Sequence, residues 1–285
     1  MGRANGEKAR DLFNQVIGQK RGGRPDKIPD DKLYRVVDDE NNVFWYLQEG
    51  GPLHRDFGPA VEFADGCRSW YQYGMRHRDK EPAIEDSQSG TSWWQYDKQH
   101  RLDGPAIIWA TGTQEWWING ELHREDGPAI IYYDGSVDYY INGLHHRENG
   151  PAVIKADGSQ IWYVHGKRHR LDGPAAEYAS GRREWWIDGV RHRVDGPAVE
   201  TKEHKEWWFE GEYHRDNGPA IENIDGRRVW FRHGNLHRTD GPAVIKADGT
   251  QEYYYEDERI GKDALASIMK TYPQLEKTRR SRKTL

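Results

Sequence analysis

Glu115-Trp116-Trp117-Ile118-Asn119-Gly120-Glu121-Leu122-His123-Arg124-Glu125-Asp126-Gly127-Pro128-Ala129-Ile130-Ile131-Tyr132-Tyr133-Asp134-Gly135-Ser136-Val137 is the stretch on which the fold turns. It holds two runs of aromatic and β-branched residues, Glu115 to Ile118 and Ala129 to Tyr132, closed by Asn119-Gly120 and Asp134-Gly135. Such runs favour strands, and Asn-Gly or Asp-Gly tolerates the positive φ of tight hairpin turns. Pro128 sits at a strand entrance, where its missing N–H does least harm. Turn dipeptides this frequent leave no room for a helix. The stretch reads as antiparallel β-hairpin.

The same unit recurs outward in both directions. His-Arg opens at His54, His77, His100, His123, His146, His169, His192, His214 and His237, spaced 23 residues apart except for 22 between His192 and His214. A tenth copy starts at Glu252 and stops before its His-Arg. Residues 43–260 are therefore nine hairpin repeats and a partial tenth. The expected fold is all-β: an elongated single-sheet antiparallel meander in which each copy packs on its neighbours and advances ~9.6 Å. An open sheet needs its edges covered. Residues 1–42 supply a predicted helix over 5–18, opened by Asn5 and carrying Leu12, Phe13 and Val16, followed by a Gly/Pro/charge linker over 19–32. Residues 261–285 supply a short helix from Lys262 through Met269 and a basic tail.

Composition narrows the class. The 285 residues carry a net charge of −5, so no blanket positive field marks a nucleic-acid or anionic-membrane partner. A mean hydropathy of −1.06 suggests disorder, yet 13 Trp and 16 Tyr argue for an aromatic-built folded chain. The single Cys67 excludes an intramolecular disulfide or a Cys-rich zinc site and suits a reducing, cytoplasmic setting. No apolar run approaches a membrane span, and no secretory h-region opens the chain. P-loop, nucleophile-elbow and HExxH signatures are all missing from the sequence, so neither an enzyme nor a cofactor is expected.

Trp117-x-x-Gly120-x-x-His123, repeated at this period, resembles the MORN (membrane occupation and recognition nexus) repeat. The unit is also similar to the MORN-variant repeats of YwqK-like bacterial antitoxins and of phage and giant-virus proteins. The resemblance covers residues 43–260 and implies a single-sheet scaffold that binds partners, with a role in host takeover, counter-defence or toxin inhibition. Where the MORN unit continues His-Gly-x-Gly, this chain has His-Arg-x-Asp-Gly-Pro-Ala, as at His169 to Ala175. Lipid binding is therefore not carried over.

Residues present in every copy are expected to stack copies. A His-Arg pair made nine times is not one catalytic geometry, and histidines ~9.6 Å apart are too distant to share a zinc. Arg is expected to fix its loop, donating to carbonyls and resting on a Trp; a cation ladder for a polyanion is the other reading. The aromatic doublets form two ladders on opposite faces, one through Trp70, Trp93 and Trp116, the other through Tyr71, Trp94 and Trp117. The His-Arg loops are expected to cover one of them.

Recognition is then sought where copies differ. Glu62, Glu85, Glu177, Glu200 and Glu222 share a repeat position that is Ile in Ile108, Ile131, Ile154 and Ile245. This mid-chain apolar change points either to packing under a terminal helix or to docking of a protein partner or second copy. The candidate partner-binding set is Ile108, Trp109, Ile131, Tyr132 and Ile154, with Trp94 and Trp117 from the second ladder. A nucleic-acid alternative rests on Arg279, Arg280, Arg282 and Lys283 of the tail. Copy seven lacks its turn glycine, over Thr201 to Lys205, and is expected to bend the array locally.

Overall fold

The computed structural model describes residues 27–271; the expected N-terminal helix and the basic residues of the tail lie outside them. The chain divides into two compact units, Met1–Leu144 and His145–Leu285. Each is antiparallel β-hairpin repeat throughout, and no barrel closes. One α-helix, Lys262–Thr271, follows the repeats, buries Leu265 and packs against strand Gln251–Tyr255. No helix among the described residues is long and apolar enough to cross a membrane. Ahead of the first repeat, strand Tyr34–Val37 pairs with Val43–Tyr46, an element not anticipated from the sequence.

Every copy is built on two tiers. Strand Gln114–Glu115 pairs with Ile107–Trp109 on one side and Ile130–Ile131 on the other, continuing the main ladder. The chain then passes Trp116, whose N–H donates to the Ala129 carbonyl and whose carbonyl accepts from His123. Beyond it Trp117–Ile118 folds onto Glu121–Leu122 as a minor hairpin. Its turn residues Asn119 and Gly120 both have positive φ, 54° and 86°, the geometry that matches the twist of a two-residue hairpin. The Asp134-Gly135 turn is different. Only Gly135 is left-handed there, and Asp134 caps the N–H of Ser136 instead.

The repeated residues form one clamp. The Arg124 guanidinium lies 4.1 Å over the Trp116 ring, donates to the Pro128 carbonyl at 3.3 Å and to Asp126 at 2.8 Å. A Cβ on Gly127 would come within 3.0 Å of its Cζ, so only glycine admits the cation at this distance. The Ala129 side chain is fully buried beside it. Arg101 on Trp93, Arg170 on Trp162, Arg193 on Trp185 and Arg238 on Trp230 repeat the geometry at 3.9 to 4.1 Å. The first aromatic ladder is therefore the one that the loops cover.

Histidine joins consecutive copies. The Nδ1 atoms of His100, His123, His169 and His214 accept the backbone N–H of Asn119, Asn142, Asp188 and His233, at 3.1 to 3.2 Å. Each donor is a left-handed turn residue of the next copy. A non-glycine residue in that conformation costs roughly 1–2 kcal/mol, and one hydrogen bond returns about 1 kcal/mol. Ring stacking supplies the rest, as in His77 on Tyr96 at 4.0 Å and His214 on His233 at 4.2 Å. These imidazoles act as acceptors and stacking surfaces for the frame.

The expected bend at copy seven does not arise in the ladder. Thr201 N–H donates to the His204 carbonyl, while its Oγ1 accepts from the N–H groups of Glu203 and His204. The missing residue is absorbed in this shorter turn, and Val199 still faces Glu206 and Glu200 still faces Lys205.

Candidate partner-binding face

Pleating sends alternate residues to opposite faces. On the outer face, register aligns Thr91, Ile108, Gln114, Ile131 and Val137 in the first unit. In the second unit the same row begins with Ile154 and Gln160, then alternates charge through Glu177, Arg183, Glu200 and Lys205. The glutamates of this row belong to the clamp: Arg55 reaches Glu62 at 2.9 Å, Arg170 reaches Glu177 at 2.9 Å and Arg215 reaches Glu222 at 2.7 Å. The isoleucines remove that carboxylate from the clamps of Arg101 and Arg124, which keep Asp103 and Asp126.

The inner face carries the second aromatic ladder. Trp94, Trp109, Trp117 and Tyr132 all lie here, so the nominated residues separate into an outer isoleucine set and an inner aromatic set. Trp109 and Trp117 both donate their indole N–H to Glu115, at 2.7 and 2.8 Å. Tyr132 donates to buried Asp138 at 3.3 Å, and burial followed by the Asp138 charge pushes its phenol up to about 12. The phenol thus stays a neutral donor at physiological pH. Trp94 donates to Ser92 at 2.7 Å beneath Arg76, whose guanidinium lies 4.2 Å from the ring. Trp109 keeps 41% of its surface exposed. The result is a row of indole and phenol edges fixed by carboxylates, with ring surface left for a partner.

In the second unit, Glu184 is 2% exposed and gathers arginines. Arg168 donates to it at 3.0 Å, Arg182 at 2.6 Å and the Trp186 indole at 2.9 Å. Arg191 lies between Trp186 and Trp208, 5.1 and 5.0 Å from the two rings.

The residue immediately before each His-Arg was overlooked in the sequence. It is Leu53, Arg76, Gln99 and Leu122 in the first unit, and Arg168, Arg191, Tyr213 and Leu236 among those of the second. Cross-strand pairing sets each beside a second-ladder aromatic, as Leu122 beside Trp117 and Arg191 beside Trp186. The signal was available, because this position varies inside a fixed frame just as the Glu/Ile position does.

Among the described residues, no group of three or more His, Cys, Asp or Glu side chains is placed to hold a metal ion. Cys67 is partly buried, and burial, then Asp86 and Asp65, push its thiol up, away from the reactive thiolate. No family model matches the chain, and no curated protein matches it.

Proposed function

We propose that this chain is a non-enzymatic repeat scaffold that holds a protein partner across its inner face. The carrying observation is that the constant Trp, Arg, Gly, Pro, Ala and His residues are spent on the frame, while the copy-specific side chains meet the second aromatic ladder on one face. Aromatic rings and arginines that are rigidly held are strong anchors for a protein interface. Both charge signs also occur on this face. The first unit carries 11 Lys and Arg against 21 Asp and Glu over residues 27–144, a net −10. Such an excess of acid opposes a continuous polyanion and suits a partner of mixed charge.

The test is affinity capture from host extract with and without nuclease, using three forms of the full chain. Trp109→Ala combined with Trp117→Ala is expected to lose the captured protein, and outer-face Ile131→Glu to retain it. Capture that depends on Ile131 and not on the tryptophans moves the interface to the outer face. Capture abolished by nuclease replaces the protein reading with a nucleic-acid one.

A further inference from the structure

We infer that the second unit's inner face takes an extended acidic peptide whose carboxylates recur at every third residue, seated on Arg168 and Arg191. This rests on the scaffold reading above and names the partner's chemistry. Arg168, Trp186, Arg191, Trp208, Tyr213 and Phe231 form one unbroken stack, with successive separations of 5.2, 5.1, 5.0, 3.8 and 5.1 Å. The guanidinium planes are held flat by their neighbours, so their N–H edges face outward without further loss of rotamer freedom.

Arg191 is the residue the fold leaves unspent. Its nearest carboxylates, Glu184 and Glu206, lie at 3.7 and 3.9 Å, beyond hydrogen-bond distance. Its Nε is buried with no hydrogen-bond partner among the described residues. Both oxygens of Glu184 are already taken by Arg168, Arg182 and Trp186. Arg168 commits one nitrogen to Glu184 and Nε to the Tyr163 hydroxyl, leaving Nη2 free to donate. A groove of about 430 Å³ runs beside it, lined by Tyr163, Lys167, Arg168, Trp186 and Asp188 among others. An orphaned guanidinium donor beside an open groove is best satisfied by an incoming carboxylate, which accepts two parallel bonds.

Spacing selects the peptide. Both cations rest on Trp186, at 5.2 and 5.1 Å, so they are no more than about 10 Å apart, in line with two strand spacings of ~4.8 Å. Same-side residues of a β-strand repeat at roughly 6.6 Å, too short for this gap. A polyproline II segment returns to the same side every third residue, at about 9.3 Å, and such segments settle in aromatic-lined grooves. Charge excludes a denser polyanion: Glu184, Glu206 and Asp188 surround the two arginines, so charges placed between the matched carboxylates would meet like charge.

Fluorescence anisotropy of labelled peptides on the full chain tests this. A Glu-Pro-Pro repeat is expected to bind about tenfold tighter than a Glu-Pro-Pro-Pro repeat with the same number of glutamates, a difference of about 1.4 kcal/mol. Arg191→Gln is expected to erase that preference, and Arg191→Lys, which keeps charge but not the planar stack, to weaken it. Arg228→Gln, on the outer face, is expected to leave it unchanged, and a thermal melt of each variant reports folding. Equal binding of the two peptides, no binding of either, or tighter binding of a single-stranded oligonucleotide of equal charge overturns the inference. Since capture through Trp109 and Trp117 is measured separately, the scaffold reading can stand if the peptide preference fails.

Discussion

In the first unit the acid at the centre of a copy is held by aromatic donors: Glu115 by the indoles of Trp109 and Trp117, Asp138 by the phenol of Tyr132. In the second unit the equivalent Glu184 is held chiefly by Arg168 and Arg182, with one indole. Over the described residues the second unit has 20 Lys and Arg against 22 Asp and Glu, a net −2 beside the −10 of the first. Frame and register are shared; what changes is which side chains the frame presents. The same backbone therefore offers an aromatic, acid-rich surface in one stretch and an arginine-stacked one in the next. That is how a repeat array gains specificity without altering its fold.

The shared frame is open to direct attack. Ala106 and Ala198 occupy the same repeat position in the two units and are both fully buried. Enlarging either to leucine overpacks the site where the loop meets the ladder, at a cost of ~1–3 kcal/mol or more. Ala106→Leu and Ala198→Leu are expected to lower the urea midpoint by similar amounts. A large disparity would show that the two units do not rest on one frame.

The differing inner faces predict a smaller, asymmetric effect. Trp117→Phe and Trp186→Phe each remove one indole donor from a carboxylate, worth ~1.5–3 kcal/mol where the acceptor is charged. Glu184 keeps two arginines, whereas Glu115 keeps only the Trp109 indole among the hydrogen bonds described. Trp117→Phe is therefore expected to destabilise more than Trp186→Phe, by about 1 kcal/mol, read from equilibrium denaturation. Equal losses would mean that the arginines around Glu184 contribute little.

Acid should affect both units in the same direction and more gently. Burial holds the imidazoles of His54 and His214 below the usual histidine value, against the opposing pull of Asp56 and Asp216; for His214 the neighbouring His233 and Arg232 lower it further. Nδ1 must be unprotonated to accept the Tyr73 and His233 N–H groups. With the folded-state value depressed, the unfolded chain takes up the proton first. Stability is then fully present above the ordinary value of about 6.5 and declines as pH falls through it. Urea midpoints are expected to drop between about pH 7.5 and pH 5.5, and His54→Gln to reduce the drop. A midpoint that holds steady through that window would remove histidine acceptance from the frame.

Much of this was legible in the chain itself. The 23-residue period, the strand runs and the turn dipeptides specified antiparallel hairpins, because positive-φ turns and period-two burial leave few alternatives. The His-Arg-x-Asp-Gly-Pro-Ala motif pointed to a structural loop, and the Trp116–Arg124–Gly127 sandwich fulfils that expectation. The nominated partner residues were chosen by variation alone, without knowledge of which face each would take. Ile108 and Ile131 consequently fell on one face and Trp109, Trp117 and Tyr132 on the other.

The order of residues along the chain determined the hairpin, its repetition and the identity of the clamp, since these depend on neighbours close in sequence. Only the tertiary structure decided which aromatic ladder the arginines cover, which acids the indoles hold, and that Arg191 ends between two tryptophans with its Nε unpartnered. Those outcomes depend on contacts between successive copies. Pairing register and the break in each strand at its first tryptophan bring together side chains some twenty residues apart, a juxtaposition that no local pattern encodes.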